Sequence, residues 1–304
     1  MNANLMSRYA WIVDTLLKYG KLSRAEINRL WLASHITDGK EIPARTFFHY
    51  RRGIEETFHI DIKCTPSREY YIEQAATPRE RAFTDWMLNS LSTATALGEG
   101  ADAAAGRVII EEIPSSREFF PIVLDAIRES RGLIFTHHGF ARSRPETGIR
   151  FHPWFLRLYK QRWYMVGLRE KGNAVRTYAL DRIRDVVLTK ETFPVPEDLD
   201  PEAFFSNIVG ITSSKAQPRT VRIRTDSRQA KYLRALPLHS SQSEEIGDGY
   251  SIFSYRLKLN YELVHEILAM GPQALVLEPK ELRLMVIDEL NRTLSLYNPD
   301  TPSL

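Results

Sequence analysis

The chain has 304 residues, 43% of them hydrophobic, with a formal net charge of +3 and one cysteine. That length and apolar content suit two or three domains, and a single Cys64 excludes a disulfide framework and a Cys-rich zinc site. No basic region followed by an apolar run opens the chain, and no window reaches about 18 uncharged apolar residues, so a cytoplasmic protein without a membrane span is expected.

Leu5, Tyr9, Ile12, Val13, Leu16 and Leu17 form one apolar stripe that ends at Gly20, which predicts a first helix. Ser23 and Glu26 have capping-box spacing at the start of a second, which turns Ile27, Leu30 and Trp31 inward. A polar break, Asp38-Gly39-Lys40, leads to a third helix opened by Pro43 in its first turn. Phe47, Tyr50, Ile54 and Phe58 make its core stripe, and Arg45, Thr46, His49, Arg51 and Arg52 lie mainly off that stripe. Ile60 to Cys64 and Glu69 to Glu73 alternate as a hairpin with a turn near Pro66-Ser67. Three helices and a hairpin in this order predict a winged helix-turn-helix over residues 1–75. The off-stripe residues are then its candidate duplex-DNA contacts, with Arg reading guanine edges and the other cations holding phosphates. The plainer reading of the same residues is a solvated helix face. Residues 1–75 hold 11 basic and 9 acidic side chains, so tight binding would need a dimer or help from elsewhere.

Residues 76–131 read as a helical connector. Thr77-Pro78 starts a helix with Phe83, Trp86, Met87 and Leu91, and Val108-Ile109-Ile110 is a short strand. Gly98 to Ala103 formally satisfies a dinucleotide fingerprint, but no strand precedes it, so it reads as a linker. Ser115 to Ser130 is a helix with Phe119, Phe120, Val123 and Ile127 inward.

Charge is then distributed unevenly. Residues 131–190 carry 13 Lys and Arg against 4 Asp and Glu, or +9, whereas the other 244 carry 28 against 34, or −6. A basic module in a near-neutral chain is suited to an anion. Five strands are expected across 132–192: Leu133–His137, Ile149–Tyr159, Trp163–Leu168, Val175–Leu180 and Val186–Thr189. They suggest a small SH3- or Sm-like barrel. Arg176 and Tyr178 share a strand face, where a cation and an aromatic ring together suit a phosphate and a stacked base. Residues 193–218 read as a linker with a short helix near Pro201–Ser206. Residues 219–304 follow a βαββαβ order with one added helix, a ferredoxin-like extension. The last helix is apolar at Leu282, Leu284, Met285, Ile287, Leu290 and Leu294, which fits either a core or an interface.

Trp163-Tyr164-Met165, with Pro153 before it and Arg176-Thr177-Tyr178 through Leu180-Asp181-Arg182-Ile183 after it, resembles the WYL domain. The order of winged helix, connector, barrel and C-terminal extension is also that of WYL-domain transcriptional regulators, so the resemblance spans almost the whole chain. It implies a homodimeric α+β multidomain regulator whose barrel senses an anionic effector, a nucleotide or single-stranded nucleic acid. By position it implies a ligand pocket at His137, His152, Tyr164, Arg176 and Arg182. Met165 stands in place of Leu, His137 where the family often has Tyr, and Ala179 where it often has a second Arg, so ligand identity does not carry over. Arg182 also has a structural reading, paired with Asp181 or Asp185.

No nucleophile elbow, H-E-x-x-H, EF-hand or P-loop string occurs, and His137, His138 and His152 have no familiar metal spacing. No enzyme, cofactor or metal is therefore expected. Two readings remain: a ligand-responsive, sequence-specific DNA-binding regulator, and a single-stranded nucleic-acid or nucleotide-binding accessory protein that modulates a nucleic-acid enzyme.

Overall fold

A computed structural model describes residues 3–34, 37, 39–58, 60–73, 86, 90, 93, 118–140, 143–214 and 216–297. The 98–103 linker, the Val108-Ile109-Ile110 strand and most of the helix expected from Thr77 lie outside these residues. The chain divides into two compact units, Met1–Glu111 and Glu112–Leu304. Among the described residues no helix is long and apolar enough to cross a membrane.

The first unit contains α1 (Ala3–Tyr19), β1 (Leu22–Ser23), α2 (Arg24–Leu32), α3 (Ala44–Phe58), β2 (Ile62–Cys64) and β3 (Glu69–Ile72). α1 buries Tyr9, Ile12, Val13 and Leu16, but Leu17 is exposed, because it sits about 100° further round the helix than Leu16. Gly20 then takes φ +77° and donates its N–H to the Leu16 carbonyl at 2.9 Å, a left-handed helix end. The Ser23–Glu26 capping box forms at the start of α2. α2 buries Ile27 and Trp31, and also Asn28, whose side chain accepts from the Ile42 N–H at 3.0 Å. The Trp31 indole donates to the Lys40 carbonyl at 3.0 Å. These two bonds pin the polar stretch between α2 and α3. Pro43 precedes the first helical residue of α3 rather than occupying its first turn, and its carbonyl accepts from Phe47 N–H at 2.9 Å. β1, too short to show a periodicity, pairs with β3 to make a three-stranded antiparallel sheet of order β1-β3-β2.

The second unit opens with α4 (Phe120–Arg128), followed by β4 (Arg131–His137), β5 (Glu146–Tyr159), β6 (Arg162–Arg169), β7 (Ala174–Ala179), a 3₁₀ turn at Leu180–Arg182 and β8 (Ile183–Thr192). The five strands form an antiparallel sheet of order β7-β6-β5-β4-β8. α4 lays Val123 and Ala126 on its apolar face, against Leu133, Phe135, Phe151, Met165 and Leu180. A bulge between Pro153 and Phe155 shifts the register of β5 against β6. The side chains of Phe151 and Leu156 therefore both reach that core, despite their odd spacing.

After α5 (Pro201–Phe205) come β9 (Arg219–Asp226), α6 (Ser227–Ala235), β10 (Ser243–Ile246), β11 (Tyr250–Leu257), α7 (Tyr261–Ala269), β12 (Ala274–Glu278) and α8 (Lys280–Leu296). The strands pair antiparallel in the order β10-β11-β9-β12, which is the βαββαβ arrangement with a terminal helix added. Only Leu282 of α8 is buried, while Leu284, Ile287, Leu290 and Leu294 are exposed. Most of the apolar face of α8 is therefore not core.

Candidate nucleic-acid interface

On α3 the buried stripe of Phe47, Tyr50, Ile54 and Phe58 leaves Arg45, His49 and Arg52 exposed at i, i+4 and i+7. Thr46 and Arg51 are half-buried at its border. The cations differ in how they are held. Arg51 Nε is 3.0 Å from Glu55 Oε1, which also accepts from the Ile62 N–H at 3.2 Å. Arg52 pairs with Glu56 at 2.9 Å in the open. Arg45 has no ion pair among the described residues. Two features were missed in the sequence. Arg68 sits at the hairpin turn with φ 62°, and Phe48 is exposed, with its ring edge-on to Phe47 and Tyr70. A hairpin's turn residue is legible in principle; an exposed Phe one position past a core Phe is not.

In the basic sheet the five expected pocket residues separate. Directly paired residues of antiparallel strands share a face, so Met165 and Tyr178 lie on the core face, and Arg157, Tyr164 and Ala179 on the opposite one. Tyr164 is buried there, away from Arg176 and Tyr178. His152 also leaves the group. Its ring stacks on Phe193 at 4.6 Å, its Nε2 is 3.1 Å from Glu170 Oε1, and it lies roughly 16 Å along the sheet from His137. His137 and Arg176 flank Tyr178: the His137 ring is 4.9 Å from the Tyr178 ring, and Arg176 acts on Tyr178 electrostatically. Arg182 is next in the chain to Ile183, the register partner of His137, and the Arg182 carbonyl accepts from His138 N–H at 2.9 Å.

Tyr178 itself is not open for stacking. It is buried among Phe135, Phe151 and His137, and burial pushes its hydroxyl pKa up. The exposed ring is Phe140, which lies over the Arg182 guanidinium at 3.5 Å; its loop position gave no periodic signal in the sequence. Arg182 pairs with neither nearby aspartate. Asp181 is taken by Arg162, while Arg182 Nε is buried with no partner among the described residues. Three of the 13 cations of the module are paired with acids already counted in its net +9, as Arg169–Glu146, Arg150–Glu170 and Arg162–Asp181. Arg176 donates only to the Val175 carbonyl among the described residues. Arg176, Arg182, His137 and the exposed Phe140 ring thus lie at this end of the sheet.

These modules define an α+β protein that joins a basic five-stranded sheet to a βαββαβ unit. Family models match both: the WYL domain over residues 118–188 and the WCX domain over residues 217–294. The chain therefore carries a WYL domain followed by a WCX domain. It is 27% identical over 177 residues to Protein PafB of Mycobacterium leprae, covering 57% of this chain and 52% of that protein. With Protein PafB of Mycobacterium tuberculosis it shares 25% over 198 residues, covering 64% and 58%. The chain thus spans a little over half the length of the curated relatives it matches. Among solved structures it aligns with the proteasome accessory factor B/C (PafBC) of Arthrobacter aurescens at TM-score 0.44 and 21% identity, covering all of this chain and 48% of that one. A CRISPR Cas-related protein aligns at TM-score 0.40 and 11% identity, covering 99% and 86%.

Proposed function

We propose that the protein is a homodimeric, sequence-specific DNA-binding transcriptional regulator. Its first unit is a winged helix-turn-helix, and its basic sheet is an SH3-like barrel that senses an anionic effector, a nucleotide or single-stranded nucleic acid. The observation that carries the reading is α3, which keeps its apolar stripe buried and leaves Arg45, His49 and Arg52 exposed. Exposed cations on a recognition helix suit a major groove edged by phosphates. The WYL and WCX domains, and the resemblance of the whole element order to WYL-domain regulators, support it. In a dimer the two helices would address two half-sites, which answers the small net charge of residues 1–75.

α8 supports the dimer. Its exposed Ile287, Leu290 and Leu294, with Tyr297 just beyond, are spaced three, four and three apart, the spacing of a helix-pairing seam. Leu290→Asp should convert a dimer to monomers in sedimentation velocity; an unchanged dimer would place the interface elsewhere. For DNA binding, a duplex selected from random sequence should shift in a gel with a steep dependence on salt. Failure to prefer any duplex over competitor DNA would remove the reading.

The accessory-protein reading is favoured by one observation, the exposed Phe140 ring over Arg182, a platform on which a single-stranded base can stack. Arg176→Ala and Arg51→Ala separate the two. In a regulator, Arg176→Ala abolishes the effector response and leaves duplex binding intact. In a single-strand binder it abolishes nucleic-acid binding, and Arg51→Ala changes little.

A further inference from the structure

We infer that the groove between β5 and the C-terminal βαββαβ unit is a second ligand site, which takes a carboxylate with an apolar body and seats its headgroup on Arg157. The inference is independent of the regulator reading, since none of the five pocket residues inferred from the WYL resemblance lines this groove. The groove has a volume of about 520 Å³, and its walls include Val209, Leu236, Leu238 and Met270. That size and lining fall within the usual range of small-molecule sites, which pair apolar walls with a few orienting polar groups.

Arg157 supplies the orienting charge. Its guanidinium lies 3.7 Å from the Phe205 ring centroid and makes no salt bridge among the described residues. Nη1 is buried without a hydrogen-bond partner among the described residues. Neither nearby acid pairs with Arg157 directly, although Glu262 Oε2 has no partner among the described residues and the Glu262 charge favours the charged guanidinium. Glu262 Oε1 accepts from the N–H groups of Ile211 and Thr212 and from the Thr212 hydroxyl, and Glu266 pairs with Lys160 at 2.6 Å. Burial weighs against the charge of Arg157 and, with Arg157 itself, holds the His239 pKa below its ordinary value, so His239 tends to stay neutral beside it. A half-buried guanidinium with no direct ion pair is costly even with the Glu262 charge nearby, and an anion placed against it removes much of that cost.

The chemistry also selects the class of anion. A nucleic acid or polyphosphate calls for a series of cations, whereas this groove offers one without a direct ion pair, set among apolar walls. A single planar guanidinium matches a single carboxylate, by two parallel hydrogen bonds. The lining comes from β5, the segment after α5, the end of α6 and α7, so an occupant would bridge the basic sheet and the C-terminal unit.

Isothermal titration of the full chain with decanoate, decan-1-ol and inorganic phosphate tests the inference. Decanoate should saturate at one per chain, decan-1-ol should bind about tenfold or more weaker, and phosphate should not compete. Arg157→Gln should weaken decanoate by about tenfold and leave decan-1-ol unchanged. Leu236 lines the groove but is 80% exposed, so Leu236→Glu leaves the core intact and sets a like charge at the mouth. It should weaken decanoate severalfold even if Arg157→Gln does not fold. Non-saturable decanoate binding overturns the site. Equal affinity for decan-1-ol, or decanoate binding unaffected by Leu236→Glu, overturns the role of the headgroup.

Discussion

α3 and the basic sheet both carry arginines, but they hold them by different means. On α3 the partners of Arg51 and Arg52 lie four residues on in the same helix, and the Arg52–Glu56 pair stands in solvent, 81% and 65% exposed. In the sheet the partners come from other strands or turns, and Arg169 and Glu146 are only 17% and 23% exposed. An exposed i,i+4 pair is worth about 0.3–0.5 kcal/mol and is easily given up to a phosphate. A buried pair costs several times that to break, because one charge is left without compensation. Equal counts of arginine therefore mean unequal supplies of available charge. Arg45 and Arg52 of the helix stand in solvent, whereas Arg131, Arg150, Arg162 and Arg169 of the sheet are tied into the fold, and Arg157, Arg176 and Arg182 carry no ion pair among the described residues.

The largest expected effect tests the sheet's half of this contrast. Glu146→Gln leaves Arg169 with its charge and without its counter-ion, and should lower the unfolding free energy by roughly 3 kcal/mol in urea titration. Replacing both partners with apolar residues of similar volume should restore most of that loss. A loss under about 1 kcal/mol would mean that the pair behaves like a surface one and that the two regions do not differ.

The next effect tests the helix. Arg45 has no ion pair to break among the described residues, so Arg45→Ala should weaken binding to a selected duplex by about 1–3 kcal/mol if it reads a base. If Arg45 holds a phosphate instead, the salt slope should fall by about one. Arg52→Ala should cost less, because Arg52 must leave Glu56 before it reaches DNA. Equal losses from the two variants would show that the Glu56 pair does not matter.

How these differences were or were not written in the sequence follows from their range. The core stripe of α3, the Ser23–Glu26 cap and the alternation that sends Trp163 and Tyr164 to opposite faces are local, and the structure agrees with each. The four-residue spacing of Arg51 to Glu55 and Arg52 to Glu56 is equally local, and it qualifies any count of available cations on α3. The sheet was harder to read because its pairs depend on register. Simple alternation along β5 puts Arg157 on the face of Phe151. The bulge at Pro153–Phe155 reverses the phase, so Arg157 pairs with Tyr164 and faces away from the core. The same dependence separated His152 and Tyr164 from His137 and Arg176. Phe140 lies in a loop with no periodicity, so its place over Arg182 had no local signal.

The smallest expected effect is the sharpest test of how α3 lends its charge. Glu56→Gln removes the partner of Arg52 and one negative charge from the exposed side of α3. The fold should lose no more than about 0.5 kcal/mol, since the pair is open to solvent and of the i,i+4 kind. Duplex binding should instead strengthen, because Arg52 no longer has to exchange one anion for another and a like charge beside the phosphates is gone. The two readouts thus move in opposite directions, a little less stable and a little tighter on DNA. The same exchange at Glu146 gives only the stability loss, with no gain in duplex affinity. If Glu56→Gln weakens duplex binding, Glu56 orients Arg52 for the groove and the pair belongs to the reading surface as a unit.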